Sequence, residues 1–402
     1  MFKRARKIFE LEASTGIFLL IATATSLLIV NSEYFTIYHK FFSFNLPLNL
    51  DFIGVYKDIT IHSWINDALM AIFFLLVGLE LKEEIMAGEL SSKSRAMLPA
   101  IAACGGVIVP ALIFYLYNFN HSENLRGLAI PTATDIAFAY GIICLFGNRV
   151  PKSLKVFLIS LAIFDDLNAI LIIAFFYSQN IAPFYVMLAF LSVFGLTILS
   201  LKKSTNLLFY LGLGVILWLM VLKSGVHPTI AGVVLAMFIP RQKDIAHKLI
   251  KKITPTINSL ILPLFAFANS GVRVDNFSLE ILTSPLVMGI ALGLFFGKQI
   301  GVMLFSFVAI KLGLTNLPRS PKGPSSWLEF YGVSVLTGVG FTMSFFIGSL
   351  AFANNSASFD EVKIGVLCGS FLSATFGMAI IYASLFCKKK VDFVTISQGQ
   401  NC

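Results

Sequence analysis

Runs of about 20 mostly apolar residues, the length a helix needs to cross a bilayer, recur in this chain from Leu11 almost to its C-terminus. No water is available at that depth, so each run must satisfy its own backbone polar groups, and the α-helix is the local structure that does so. Composition agrees: 57% of the 402 residues are hydrophobic and 13% charged, against roughly a quarter charged in soluble domains. No hydrophilic stretch is long enough to fold as a separate domain.

The expected fold is therefore an all-α polytopic membrane protein of about twelve transmembrane helices, forming a single membrane domain over residues 1–402. The expected spans are 11–30, 64–85, 96–117, 125–146, 151–177, 183–201, 207–223, 226–240, 256–272, 285–310, 328–350 and 361–386. With these spans, 23 of the 30 Lys and Arg residues fall on one side and six on the other, with Lys298 inside a span. The positive-inside rule makes the richer side cytoplasmic, and an even number of spans puts both termini there. Residues 1–10 then form a cytoplasmic N-terminus and 387–402 a cytoplasmic tail. The four basic residues between Met1 and Lys7, followed by an apolar run, could open a signal peptide. Glu10 and Glu12 interrupt the junction, however, and the run to Val30 is too long for one, so a first span is the better reading.

The external stretch 43–62 alternates apolar and polar residues (Phe44, Leu46, Leu48, Leu50) around Pro47 and Gly54. That period of two fits a small β-hairpin on the outer surface, with an ordered but unpaired loop as the competing reading. The formal charge of +9 does not point to nucleic acid, because the basic residues sit in short clusters between apolar runs. Topology and contact with anionic lipid headgroups account for them. Cys104, Cys144, Cys368, Cys387 and Cys402 show no disulfide or metal spacing, and no cofactor is expected.

A charge at the bilayer centre costs at least about 2.5–3.5 kcal/mol on insertion scales, so ionisable residues within spans are functional candidates. They are Asp67, Glu80, Asp135, Asp165, Asp166 and Lys298. Asp165 and Asp166 are neighbours midway along the fifth span, about 100° apart around the helix, so both can border one cavity. Two buried carboxylates this close do not readily ionise together. A small cation arriving there supplies the missing positive charge and drives protons off, which is ion/proton competition at one site. The bland alternative is a structural pair, one Asp capping backbone and the other paired to a lysine. Lys298, in Phe296-Gly-Lys-Gln, is the one cation available at that depth to pair with an aspartate, either balancing charge or carrying a proton itself. Its bland alternative is a lysine snorkelling to the interface.

Two spans read as broken. The fourth runs Ala129-Ile-Pro-Thr-Ala-Thr-Asp135, where Pro131 removes a backbone donor. The eleventh runs Thr337-Gly-Val-Gly-Phe-Thr342, loosened by Gly338 and Gly340. Interruptions at matching places in two halves point to a transport site between inverted repeats, here spans 3–5 and 10–12; the family named below is itself an example behind that rule, so the agreement is not independent. In each broken span the half-helix ends would bring opposite partial charges together. Asp135 is expected to offset the positive ends in span four, with Lys298 nearby to offset the negative ones.

Several motifs carry a resemblance: Phe73-Phe-Leu-Leu-Val-Gly-Leu-Glu, Pro131-Thr-Ala-Thr-Asp-Ile-Ala-Phe-Ala, Phe164-Asp-Asp-Leu, Val221-Leu-Lys-Ser-Gly-Val-His-Pro-Thr, Leu262-Pro-Leu-Phe-Ala-Phe-Ala-Asn, Gly297-Lys and Gly338-Val-Gly-Phe-Thr-Met-Ser. In this order and spacing they resemble the NhaA sodium/proton antiporters from about residue 8 to about residue 385. The resemblance implies that Asp165 and Asp166 bind Na⁺ or Li⁺ and carry protons, and that Thr134, Asp135, Lys298, Gly338 and Gly340 form the transport core. It implies that Glu80 and Glu84 belong to a cytoplasmic entrance and that His227 matches a histidine tied to pH response. A hydrogen-bonded surface histidine beside Pro228 is the competing reading of His227. The resemblance further implies electrogenic exchange, with more protons entering than sodium ions leaving, in a bacterial inner membrane, by a homodimer joined through the external hairpin.

The sequence departs from the family pattern at Glu83, at Lys248-Leu-Ile-Lys-Lys-Ile-Thr before span nine, at Asn168 and at Gln299. The transport core is thus expected intact and the pH sensor altered. No enzyme is expected: an intramembrane aspartyl protease needs its aspartates on separate spans, and a prenyl-transfer enzyme needs an acidic residue where Ala169 stands. The rival function is a sodium- or proton-coupled solute symporter. It would line a larger site with more hydrogen-bonding groups than Thr134, Asp135 and Lys298 supply.

Overall fold

The computed structural model describes residues 2–46, 60–177, 181–240, 244–273, 279–320, 323–353 and 355–399. Among these, nine helices are long and apolar enough to cross a membrane, or ten if Ser14–Val30 and Phe35–Phe42, bent by 115°, count as one span. The only strand pair among the described residues is Arg319–Ser320 against Gly323–Pro324, two residues each. The expected hairpin at 43–62 falls mostly on residues 47–59, which lie outside the described residues; at its foot Asn45 and Thr60 form an isolated antiparallel bridge.

The chain divides into two compact units. One comprises residues 1–16, 92–166 and 278–402. Here helix Lys93–Asn118 packs on helix Lys298–Lys311, and helix Ser356–Gly399 packs on Pro285–Leu292 and Trp327–Leu336. Helix Ser356–Gly399 continues through the segment expected as a tail. Gly105 and Gly301 allow the first of these contacts, because a Cβ on either would run into the other's carbonyl oxygen. Trp327–Ala351 is the most enclosed segment, with 89% of its most apolar window buried.

The other unit comprises residues 17–91 and 167–277. Its helices Met70–Ala87, Pro183–Leu201, Leu207–Ser224 and Ile230–Phe238 surround a core that includes Leu79, Tyr210, Leu217 and Leu235. Local signals set their ends. Asn206 caps Leu207–Ser224 by accepting from Leu208 N, and that helix stops at Gly225, whose φ of 81° is left-handed. Lys82 reaches the C-terminal end of Ile230–Phe238, donating to Met237 O at 2.6 Å and Ile239 O at 2.7 Å. The stretches expected as spans 226–240 and 256–272 differ in extent from that expectation. The first is the shorter helix Ile230–Phe238; the second is the end of an unbroken helical run made of Ile245–Thr256, the π turn Ile257–Ile261 and Leu262–Asn269.

Two interruptions matter most, and both belong to the first unit. A 3₁₀ helix, Asn124–Thr132, leads into helix Ile136–Leu145, with residues 133–135 outside any helix. Pro131 suits the tighter winding because it lacks the N–H that an α-helix would use. Helix Trp327–Leu336 is followed after residues 337–340 by helix Phe341–Ala351. Gly338 is required there: a Cβ would run into Leu294 O and Ser373 Oγ. Gly338→Ala is expected to destabilise the protein by about 1–3 kcal/mol through overpacking, read as a lower Tm in detergent. Gly212→Ala is the control. Gly212 has open space around it, and the exchange is expected to raise stability by about 0.5–1 kcal/mol by favouring helix.

Candidate functional site

The two interruptions are bonded to one another. The Thr134 hydroxyl lies 2.7 Å from Thr337 O, and the Ser344 hydroxyl donates to Ile130 O at 2.8 Å. The backbone N–H of Asp135 donates to Val339 O at 2.7 Å. Each interruption thus supplies hydrogen-bond donors for carbonyls that the other leaves without helical partners, as irregular backbone at membrane depth requires. Within the second, Thr337 N, Gly338 N and Val339 N close back on Val333 O, Val335 O and Leu336 O, and the Thr337 hydroxyl on Ser334 O at 2.6 Å.

Asp135 is the N-cap of helix Ile136–Leu145, its Oδ1 accepting from Phe138 N at 2.9 Å. Its Oδ2 accepts from Thr342 N at 3.0 Å and also from the Thr342 hydroxyl. One carboxylate therefore sits at the N-terminal ends of two helices, where partial positive charge gathers. The expectation for Asp135 pointed to the first of these ends. Thr342, the donor from the second, was missed; its sequence signal is a threonine just past the Gly338/Gly340 pair, mirroring Thr134 beside Pro131.

Asp165 and Asp166 lie on helix Lys152–Phe176, both about 1% exposed. Asp165 Oδ2 accepts from Lys298 Nζ at 2.5 Å and from the Thr134 hydroxyl at 2.6 Å. Lys298 is wholly buried. It bonds to Asp165, while the carbonyls ending helix Trp327–Leu336 take hydroxyl and amide donors. A hydroxyl carries one proton, so Thr134 can donate to Asp165 or to Thr337 O but not to both at once. Asp165 Oδ1 is buried and accepts no hydrogen bond from any described group. Asp166 acts electrostatically on Lys298 as well. A charged pair in so enclosed a place holds only while both partners remain.

Thr134, Asp135, Asp165, Asp166, Lys298, Gly338 and Gly340 thus all belong to one unit. Glu80, Glu84 and His227 belong to the other. Glu80 and Glu84 stand one turn apart on helix Met70–Ala87, both half-buried. On that same helix Glu83 approaches His247 at 3.4 Å. His227 is half-buried in the turn before helix Ile230–Phe238, where its carbonyl accepts from Ile230 N at 3.3 Å.

Fold and site together define a multi-pass helical membrane protein with an ion pair and a second aspartate enclosed beside two short stretches of non-helical backbone. Comparison with known proteins carries this further. Residues 6–381 match the family model described as Na⁺/H⁺ antiporter 1. A Na⁺/H⁺ antiporter NhaA of Pelagibacter ubique is 50% identical over 382 residues, 94% of this chain and 96% of that protein. An antiporter NhaA 2 of Campylobacter jejuni is 46% identical over 376 residues, 92% and 97% of the two chains. The NhaA of Psychrobacter cryohalolentis is 45% identical over 399 residues, 98% of each. The chain belongs to the NhaA family of Na⁺/H⁺ antiporters.

Proposed function

We propose that this chain exports Na⁺, and also Li⁺, in exchange for a larger number of protons, and that Asp165 and Asp166 are where the two kinds of ion compete. The observation that carries the reading is the enclosed pair of Asp165 and Lys298, with a second carboxylate beside it and one Asp165 oxygen free of hydrogen bonds. Na⁺ as substrate wants oxygen ligands, and this carboxylate pair supplies them. When the ion binds, it replaces positive charge held there as protons. Three ionisable groups, Asp165, Asp166 and Lys298, are available there to carry protons, enough for the electrogenic exchange that the family resemblance implies. Asp135 holds the two helix N-termini together, while Thr134 turns its hydroxyl hydrogen bond from Asp165 to Thr337 O when Asp165 is protonated.

In this reading the ten long helices counted with the bent pair, together with Ile230–Phe238 and the segment ending in Leu262–Asn269, complete twelve spans as one membrane domain. The two interrupted spans belong to inverted repeats, and alternating access opens the pair to one side at a time. Glu80, Glu84 and His227 serve the cytoplasmic entrance and pH response. The protein acts in the bacterial inner membrane, among its lipids, with both termini in the cytoplasm, and dimerises through residues 43–62.

The test is proton flux in proteoliposomes with an imposed gradient, adding Na⁺, Li⁺ and K⁺ in turn. Na⁺ and Li⁺ are expected to move protons and K⁺ is not, and the size of the signal should depend on membrane potential. Well-folded protein that moves no protons with Na⁺ at any pH from about 6 to 9, the range over which shifted carboxylates titrate, would refute the reading. A solute symporter would then be the function to pursue.

A further inference from the structure

Lys298 is the first residue after a π turn, Gly293–Gly297, and its backbone N–H reaches back five residues to Gly293 O instead of the usual four. The extra residue rotates everything after it around the helix by about 100° relative to an uninterrupted α-helix. It thereby decides whether the Lys298 side chain faces Asp165. The regular ladder of bonds to the fourth residue back is interrupted there.

Gln299, the next residue, is 4% exposed. Its Nε2 donates to Phe295 O, inside the π turn, at 2.6 Å. Its Oε1 accepts from the Tyr331 hydroxyl at 2.6 Å. Only one orientation of the amide serves both bonds, because a flip would set Oε1 against a carbonyl oxygen. Tyr331 lies on helix Trp327–Leu336, which runs into Thr337. Thr337 O faces the Thr134 hydroxyl, which also faces Asp165, the partner of Lys298. Chain connections and hydrogen bonds thus lead from Lys298 through Gln299, Tyr331 and Thr337 to Thr134, whose hydroxyl serves Thr337 O or Asp165 at any one time. Both polar ends of a buried glutamine are thus engaged next to the site's cation, though neither touches it.

We propose that Gln299 and Tyr331 are positioning residues for Lys298: the glutamine ties down the π turn, the tyrosine ties the glutamine to the helix leading into the second interruption, and together they aim Lys298 at Asp165. The consequence for transport rests on the exchange function proposed above; the positioning itself does not.

The experiment compares wild type with Gln299→Leu, Tyr331→Phe and the double variant as folded, full-length protein. Two readouts are taken. The first is the rate at which acetic anhydride labels Lys298 in detergent, followed by mass spectrometry. The second is the Na⁺ concentration giving half-maximal exchange, measured across pH in proteoliposomes. Labelling is expected to speed up about fivefold in Gln299→Leu, the factor that the net contribution of one hydrogen bond gives. Tyr331→Phe should shift it less and in the same direction, and the double variant should be no worse than Gln299→Leu, since both act through one amide. The half-maximal Na⁺ concentration and its pH profile should move with the labelling, while the maximal rate at saturating Na⁺ stays within about twofold, half the effect of one hydrogen bond or less. Unchanged labelling and an unchanged pH profile, with only less folded protein, would overturn the proposal. So would effects of the two single variants that simply add. If wild type moved no protons with Na⁺, the exchange reading would fail while the labelling result still decided the positioning claim.

Discussion

Asp165→Asn is expected to abolish Na⁺-driven proton movement while leaving the chain folded and in the membrane. The amide can still accept from Lys298 and Thr134 through its oxygen, so the local bonding survives in outline. What is lost is the negative charge and the proton that the carboxylate can carry. Losing a charged ligand costs Na⁺ about 2–3 kcal/mol, some hundredfold in affinity. Losing the titratable group removes the exchanged proton altogether. Everted vesicles loaded by respiration and probed with a ΔpH dye read the result directly. Residual exchange above a few per cent, a level that loss of affinity alone would leave at high Na⁺, would mean that Asp165 assists and that Asp166 carries the protons.

The second large effect is on stability. Lys298→Met is expected to cost about 3–5 kcal/mol, because it leaves the Asp165 carboxylate enclosed with only the Thr134 hydroxyl to answer it. Thermal unfolding in detergent should show a Tm lower by several degrees. The double variant Lys298→Met with Asp165→Leu should recover most of the loss, since removing both charges also removes the cost of burying them. If the double variant were as unstable as the single one, the lysine's contribution would be packing of its long side chain and the ion pair would add little.

These effects bear on what a reader could extract from the amino-acid order. Charges are rare in apolar spans and each has a cost there, so Asp135, Asp165, Asp166 and Lys298 stand out on inspection. Pro131, Gly338 and Gly340 likewise mark the interruptions, because proline removes a donor and glycine admits close backbone approach. Pairing is a different matter. Asp165 and Lys298 are 133 residues apart, and nothing local says that Lys298 meets Asp165 and not the carbonyls ending a broken helix. Asp135 as a cap on two helices was half legible: its own helix begins right after it, while Thr342 joins it from 207 residues away. The π turn ahead of Lys298 has no residue signature beyond its flanking glycines. The Gln299–Tyr331 bond it depends on is visible only once the helices are packed.

The most direct test of the account is calorimetric titration of Na⁺ into purified protein at a fixed pH, in two buffers of different ionisation enthalpy. Ion/proton competition predicts that Na⁺ binding releases protons, so the apparent heats differ between buffers, that binding weakens as pH falls, and that both effects vanish in Asp165→Asn and Asp166→Asn. Na⁺ binding with the same heat in both buffers and the same affinity at every pH would contradict it, because the ion would then bind without displacing a proton.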